Sequence, residues 1–273
     1  MTAAVSAKSF GKRLATAGAA LVIAAAMAGC ASKSSMTTGS VDRSLGKGVD
    51  QMSSGELETA ADRLGQSYAK APTDKAIALK YSTVLQMNGR SDQSLAVMRK
   101  LAIALPKDRE VLAAYGKSLA GAGQFEQALD AIRRAQTPEY PDWKLLSAEA
   151  AILDQLGQSA SARQLYRKAL DMKPDEPTIL SNLGMSYLLE GDLKTAEMHM
   201  RSAAQRSGAD SRVRQNLALV VGLQGRFEEA ETIARQELSP DQAQANVTYL
   251  RTMLAQQNAW NDLKDEKEKK NTN

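Results

Sequence analysis

The 273-residue chain has one cysteine, Cys30, so no internal disulfide framework can hold it together. It has one histidine, His199, which removes the usual zinc sites and histidine-dependent triads. Aromatic residues make up only 4% of a chain that is 43% hydrophobic, so small aliphatic side chains must do much of the packing. Charge of one sign is also scarce once its position is considered. The formal charge is +4, and Lys8, Lys12 and Arg13 lie in the first 29 residues with no acid, which leaves +1 for the remainder. Basic stretches interleaved with aromatics, the mark of a nucleic-acid surface, are missing. No G-x-x-x-x-G-K-[ST] loop occurs, and Gly121-Ala122-Gly123 reads as a turn rather than half of a dinucleotide fingerprint. Ser44-Leu45-Gly46-Lys47 matches S-x-x-K without the supporting S-D-N and K-T-G segments, and Glu228-Glu229 reads as a solvated helix face.

What is present begins with the leader. A basic stretch is followed by the apolar run Leu14 to Met27 and then by Met27-Ala28-Gly29-Cys30. The run is short and alanine-rich for a membrane span and suits a secretory signal over residues 1–29. A simply cleaved signal and a retained anchor helix are the alternatives. Met27-Ala28-Gly29-Cys30 resembles a bacterial lipobox, which implies lipid transfer to the Cys30 thiol, cleavage before it and acylation of the new amino terminus. Each buried methylene contributes about 0.8 kcal/mol, and stable anchoring takes more than one chain. Residues 30–40 then form the lipidated cysteine and a polar, flexible tether. Ala31 after the cysteine implies, by resemblance to lipoprotein sorting, the periplasmic face of the outer membrane.

The second feature is a period. Glycines at 55, 89, 123, 157, 191 and 225 are 34 residues apart. Small residues recur seven positions before each (Gly48, Ser82, Gly116, Ala150, Gly184, Ala218) and five after (Ala60, Ser94, Ala128, Ala162, Ala196, Ala230). With Leu183-Gly184, Tyr187, Met200 and Ala203 in one unit and Leu153, Tyr166, Ala169 and Pro174 in the one before, the pattern resembles the tetratricopeptide repeat (TPR). That resemblance implies an all-α, right-handed solenoid of about six helix-turn-helix units. They fall at 41–74, 75–108, 109–142, 143–176, 177–210 and 211–244. Small residues belong where two helices cross, and larger ones (Leu64, Met98, Ile132, Tyr166, Met200) fill the space between units. Ser239-Pro240-Asp241 opens a capping helix over residues 240–260, and residues 264–273 read as a disordered tail.

Carried over by register, the inner face of such a solenoid takes Leu79, Thr83, Ala113, Lys117, Ser147, Ala151, Ser181, Asn182, Met185, Gln215, Asn216 and Leu219. Asn182 and Asn216 either bond a ligand's backbone or satisfy neighbouring helices. Met185 and Leu219 are assigned to partner contact, and His199 to a solvated surface. The run Val213 to Glu231, together with Asn182 to Leu189, resembles the TPR lipoproteins of the tight adherence (Tad, or Flp) pilus assembly systems. This implies a non-enzymatic assembly factor that supports a type IVb pilus machine, with its secretin or another component of that machinery as the partner protein. No cofactor, metal, nucleic acid or small-molecule substrate is expected. The alternatives are a general cell-envelope scaffold serving outer-membrane protein or cell-wall assembly, and an enzyme with a TPR body.

Overall fold

The computed structural model describes residue 49 and residues 52–271 except 138 and 140, with side chains described up to residue 257. The leader, Cys30 and the tether lie outside the described residues, as do Ser44 to Gly48. Twelve helices and no extended strand make up the described chain. They are α1 Ser54–Lys70, α2 Lys75–Met87, α3 Ser91–Ala104, α4 Arg109–Gly121, α5 Phe125–Ala135, α6 Trp143–Gln155, α7 Ser159–Met172, α8 Pro177–Leu189, α9 Leu193–Ala204, α10 Ser211–Leu223, α11 Phe227–Ala234 and α12 Pro240–Asn271. The helices opening at residues 75, 109, 143, 177 and 211 alternate with those opening at 91, 125, 159, 193 and 227, each series at a spacing of 34.

Local chemistry sets this spacing. Asp74, Asp108, Asp142 and Asp210 cap α2, α4, α6 and α10, each accepting a backbone N–H of the first turn. At the corresponding position before α8 stands Glu176, which makes no such bond; Pro177 begins the helix there instead. Between the paired helices the chain turns through a glycine in the left-handed region, as at Gly123 (φ +75°) and Gly157 (φ +73°). Gly55 departs from its column: it lies in the first turn of α1, behind a capping box formed by Ser53 and Glu56.

The chain divides into two compact units, residues up to 165 and residues from 166, with the division inside α7. In the first unit the core is continuous along the helix pairs. Leu57, Ala60, Ala61, Leu64 and Val84 form one cluster, Ala78, Leu85, Met98, Leu101 and Val111 the next, and Leu112, Leu119, Ala128, Ile132, Leu145 and Ile152 a third. In the second unit Ile179, Leu183, Met200, Val213, Val220 and Val221 are buried with Ala196, Ala203 and Ala230. The column glycines are there for closeness. A Cβ on Gly116 would lie 2.8 Å from Ile132 Cγ1, and one on Gly184 would lie 2.8 Å from Met200 Cγ and 3.0 Å from the Ala196 carbonyl.

The terminal helix α12 packs on α10 and α11 through Ala243, Val247 and Leu250. Leu250 occupies the space that Gly222 leaves, where an added Cβ would fall 2.5 Å from its Cδ2. The helix expected to end near residue 260 continues to Asn271, so residues 264–271 are helical rather than a disordered tail. Residues 241–271 contain no glycine or proline, and Asp265 with Lys269 and Glu266 with Lys270 give acid-to-base pairs at i, i+4, which favour helix in water. No helix among the described residues is long and apolar enough to cross a membrane.

Candidate functional site

The expected inner-face residues all fall on the first helix of each pair, and the structure grades them by depth. Thr83 and Gln215 are exposed. Leu79, Ala113, Lys117, Ala151, Asn182, Asn216 and Leu219 are half-buried. Ser147, Ser181 and Met185 are buried. Leu79, Thr83, Ala113, Lys117, Ser147 and Ala151 belong to α2, α4 and α6 of the first unit; the others belong to α8 and α10 of the second. Met185 was assigned to partner contact, yet only 9% of it is accessible. The reason lies in α8, PTILSNLGMSYLL, in which every residue is buried or half-buried: a helix packed on all sides has no free face to give one methionine.

The two asparagines were open between ligand and structure. Asn216 Nδ2 donates to Ser181 Oγ at 3.1 Å, tying α10 back to α8 and burying the serine hydroxyl with a partner. This is the structural alternative, and the same bond accounts for the burial of Ser181. In the second unit Leu219 and Gln215 remain to offer apolar and amide groups to a partner, and in the first unit, taken by itself, Leu79, Thr83 and Lys117 offer apolar, hydroxyl and ammonium groups.

His199 is not a solvated surface residue. Its ring stacks on Tyr187 with centroids 5.4 Å apart and an interplanar angle of 11°, linking α9 to α8. Burial pushes its pKa below the ordinary histidine value, and the charge of Arg167 adds to that. Nothing about it suggests a ligand, and no group of three or more metal-ligating side chains occurs among the described residues.

Two polar constellations were not foreseen. In the first unit Ser82, Ser94 and Ser118 bring three buried hydroxyls together. Ser82 and Ser94 Oγ are 2.8 Å apart, and Ser118 Oγ is 3.2 Å from Ser94 Oγ. Ser118 donates to the Ala114 carbonyl at 3.1 Å and accepts from Gln86 Nε2 at 2.9 Å. No histidine, lysine or carboxylate bonds to any of the three, so none is activated as a nucleophile; the cluster is internal packing in polar form. The signal was a serine in both small columns of one unit, which no other unit has.

In the second unit Glu197 of α9 gathers Arg226, Gln224 and Arg201 from three places in the chain. Gln224 Nε2 donates at 2.8 Å and Arg201 Nε at 2.7 Å, and Arg226 Nη2 also donates to it. Glu229 joins by accepting from Arg226 at 2.9 Å and pairing with Arg201. The bond from Arg226 leads in holding the Glu197 carboxyl down to about 2, against the opposing effect of its burial. In the first unit Lys75 pairs with Asp108 at 2.7 Å and Glu110 at 2.8 Å. Burial alone would lower the Lys75 pKa, but these bonds raise it.

These side chains can hold helices together and present a mixed face to another protein. The arrangement brings no acid and base together around an accessible nucleophile.

No curated protein matches the chain. Among solved structures it is similar in fold to a thermophilic TPR protein of Thermus thermophilus (TM-score 0.57, 20% identity, 64% of this chain and 97% of that one). It is likewise similar to PilW, a widely conserved type IV pilus biogenesis factor (TM-score 0.55, 18% identity, 73% and 91%). A third likeness is to PilF of Pseudomonas aeruginosa (TM-score 0.50, 18% identity, 75% and 96%). Models of the tetratricopeptide repeat match residues 79–142, 114–177, 147–211 and 212–236. The 34-residue spacing of the helices, the buried small columns and these matches agree, and the chain belongs to the tetratricopeptide repeat family.

Proposed function

We propose that this protein is a lipid-anchored scaffold on the periplasmic face of the outer membrane, which binds and supports other proteins during assembly of a pilus machine of the Tad/Flp class. Its work is binding without turnover. A tetratricopeptide repeat body binds protein partners through exposed helix faces, and here that body follows a leader ending in Met27-Ala28-Gly29-Cys30. The observation that carries the pilus reading is the run Val213 to Glu231 with Asn182 to Leu189, which resembles the TPR lipoproteins of those systems. The fold likeness to PilW, a pilus biogenesis factor, is consistent with it. The partner is a segment of the machine's secretin or of a neighbouring component, held against α10 around Gln215 and Leu219 in the second unit.

Two measurements test this. Mass spectrometry of the native amino terminus should find an acylated Cys30, and Cys30→Ser should release a folded protein from the membrane; a mature chain beginning elsewhere removes the anchor from the proposal. Leu219→Asp places a charge on the half-buried face while avoiding the buried Met185. The variant should remain helical and lipidated while secretin multimers and surface pili fall; normal secretin and pili would reject this face as the working surface. A gene neighbourhood without a secretin, a pilin and a secretion ATPase would favour the general envelope scaffold.

A further inference from the structure

The solvent face of α3 differs from the other charged faces of the molecule. Its buried side is formed by Ser94, Leu95, Val97, Met98 and Leu101, which leaves Arg99, Lys100 and Ile103 pointing outward together. Arg99 and Lys100 precede Ile103 by four and three residues, the spacings that make neighbours on a helix surface. Ile103 is 76% exposed, the most accessible large apolar side chain among the described residues. Lys107, also exposed, follows in the loop after α3. Arg134, whose Nη2 donates to the Pro106 carbonyl at 3.2 Å, also reaches that loop, but its charge is paired with Asp130 at 3.4 Å. Asp92, the only acid of α3, lies eleven residues before Ile103, about 16 Å along the axis.

Arg99, Lys100 and Lys107 make no ion pair among the described residues. Nine other arginines are used differently: Arg90, Arg133 and Arg134 of the first unit pair with carboxylates, and so do six of the second. Arg201, Arg206, Arg212, Arg214, Arg226 and Arg235 each pair with a carboxylate. Cations spent on internal pairs serve the fold, whereas cations left unpaired around an exposed apolar tip serve something outside it.

We propose that this face of α3 docks on an anionic lipid surface, with Arg99, Lys100 and Lys107 among the headgroups and Ile103 in the boundary below them. A basic rim supplies the attraction and an apolar side chain supplies the insertion, the combination by which peripheral helices hold a bilayer. The choice of lipid over another polyanion rests on the lipoprotein reading. That reading places an acylated Cys30 in the bilayer only 24 residues before α1 opens at Ser54, which keeps the first unit near that surface. Docking there orients the first unit on the membrane.

The test uses the chain from residue 30 onward with Cys30→Ser, so that no lipid is attached and the result does not depend on the anchor. Vesicles of phosphatidylethanolamine with phosphatidylglycerol should bind this protein, pure phosphatidylcholine vesicles should bind it far less, and added salt should weaken the binding. Each cation near such a surface is worth roughly a fivefold change in affinity, so Lys100→Gln with Lys107→Gln should lower binding by about 30-fold at unchanged helicity. Ile103→Ser should lower it several-fold. Arg63→Gln with Lys70→Gln, two exposed cations of α1 with no exposed large apolar residue on their helix, should change little. Absence of binding, equal binding to both vesicle types, or an equal loss in the Arg63/Lys70 control overturns the proposal. Full competition by a short DNA duplex, together with an indifferent Ile103→Ser, also overturns it and assigns the face to polyanions in general. The lipoprotein reading is decided separately by the mass of the native amino terminus.

Discussion

The crossing of α2 with α3 and the crossing of α8 with α9 use the same two positions of the repeat and fill them by different physics. In the first unit the positions are Ser82 and Ser94, whose hydroxyls meet at 2.8 Å and recruit Ser118 and Gln86. In the second they are Gly184 and Ala196, with Met200 pressed into the space a Cβ would take. The repeat therefore requires small volume at the crossing but not a particular polarity. One crossing is held by satisfied hydrogen bonds, which are directional and costly to leave half-made; the other is held by close apolar contact, which tolerates no added volume.

The largest expected effect breaks the apolar crossing. Gly184→Leu should destabilise the second unit by about 3 kcal/mol or more, because even the first carbon meets Met200 and the Ala196 carbonyl. Circular dichroism with hydrogen exchange checks it, and exchange should rise in α8 and α9 while residues 54–121 stay protected. Next comes the polar crossing. Ser118→Ala leaves Gln86 and the serine pair short of a partner and should cost about 1–2 kcal/mol. The triple replacement of Ser82, Ser94 and Ser118 by alanine removes donors and acceptors together, so its cost in chemical denaturation should fall below the sum of the three single changes.

Acid sharpens the comparison through Glu197. Its carboxyl titrates lower in the folded chain than in the unfolded one, so its contribution is complete above the ordinary carboxylate range near 4.5 and is lost as pH falls toward about 2. With partners open to solvent, that contribution is on the order of 1–2 kcal/mol. Glu197→Gln should flatten the acid limb of the second unit's melting curve while leaving the first unit's unchanged.

The smallest effect belongs to His199. Its pKa is lowered on folding, so the unfolded chain binds the proton more readily, and stability present above the ordinary histidine value near 6.5 declines as pH falls below it. His199→Phe, which keeps the stack on Tyr187, should remove that slope in melting experiments.

The period and the small columns were legible because a crossing constrains size at a fixed spacing, and spacing is what a sequence displays. Depth was not legible. Register assigns Met185 to the first-helix face, but whether a residue there is open depends on how closely α8 is packed, and Met185 is buried. Asn216 and Ser181 are 35 residues apart, one period plus one, a pairing that declares itself only once successive first helices lie side by side. Glu197 draws its partners from positions 201, 224 and 226, through a carboxylate that looks in the sequence like any other charge on a helix. The length of α12 could have been read from its uninterrupted composition, but a polar, mixed-charge segment was equated with disorder.

The turn glycines carry one more implication. At Gly123 and Gly157 the backbone takes a positive φ, and the position a Cβ would occupy has no atom within 4 Å. Glycine is thus required there for handedness alone, with no neighbour demanding its small size. An L-alanine would be strained in open space, whereas its mirror image prefers this region of φ and would have room to stand. D-alanine placed at these turns by chemical ligation should lower the conformational freedom of the unfolded chain without disturbing the helices, so these turns invite stereochemical rather than steric engineering.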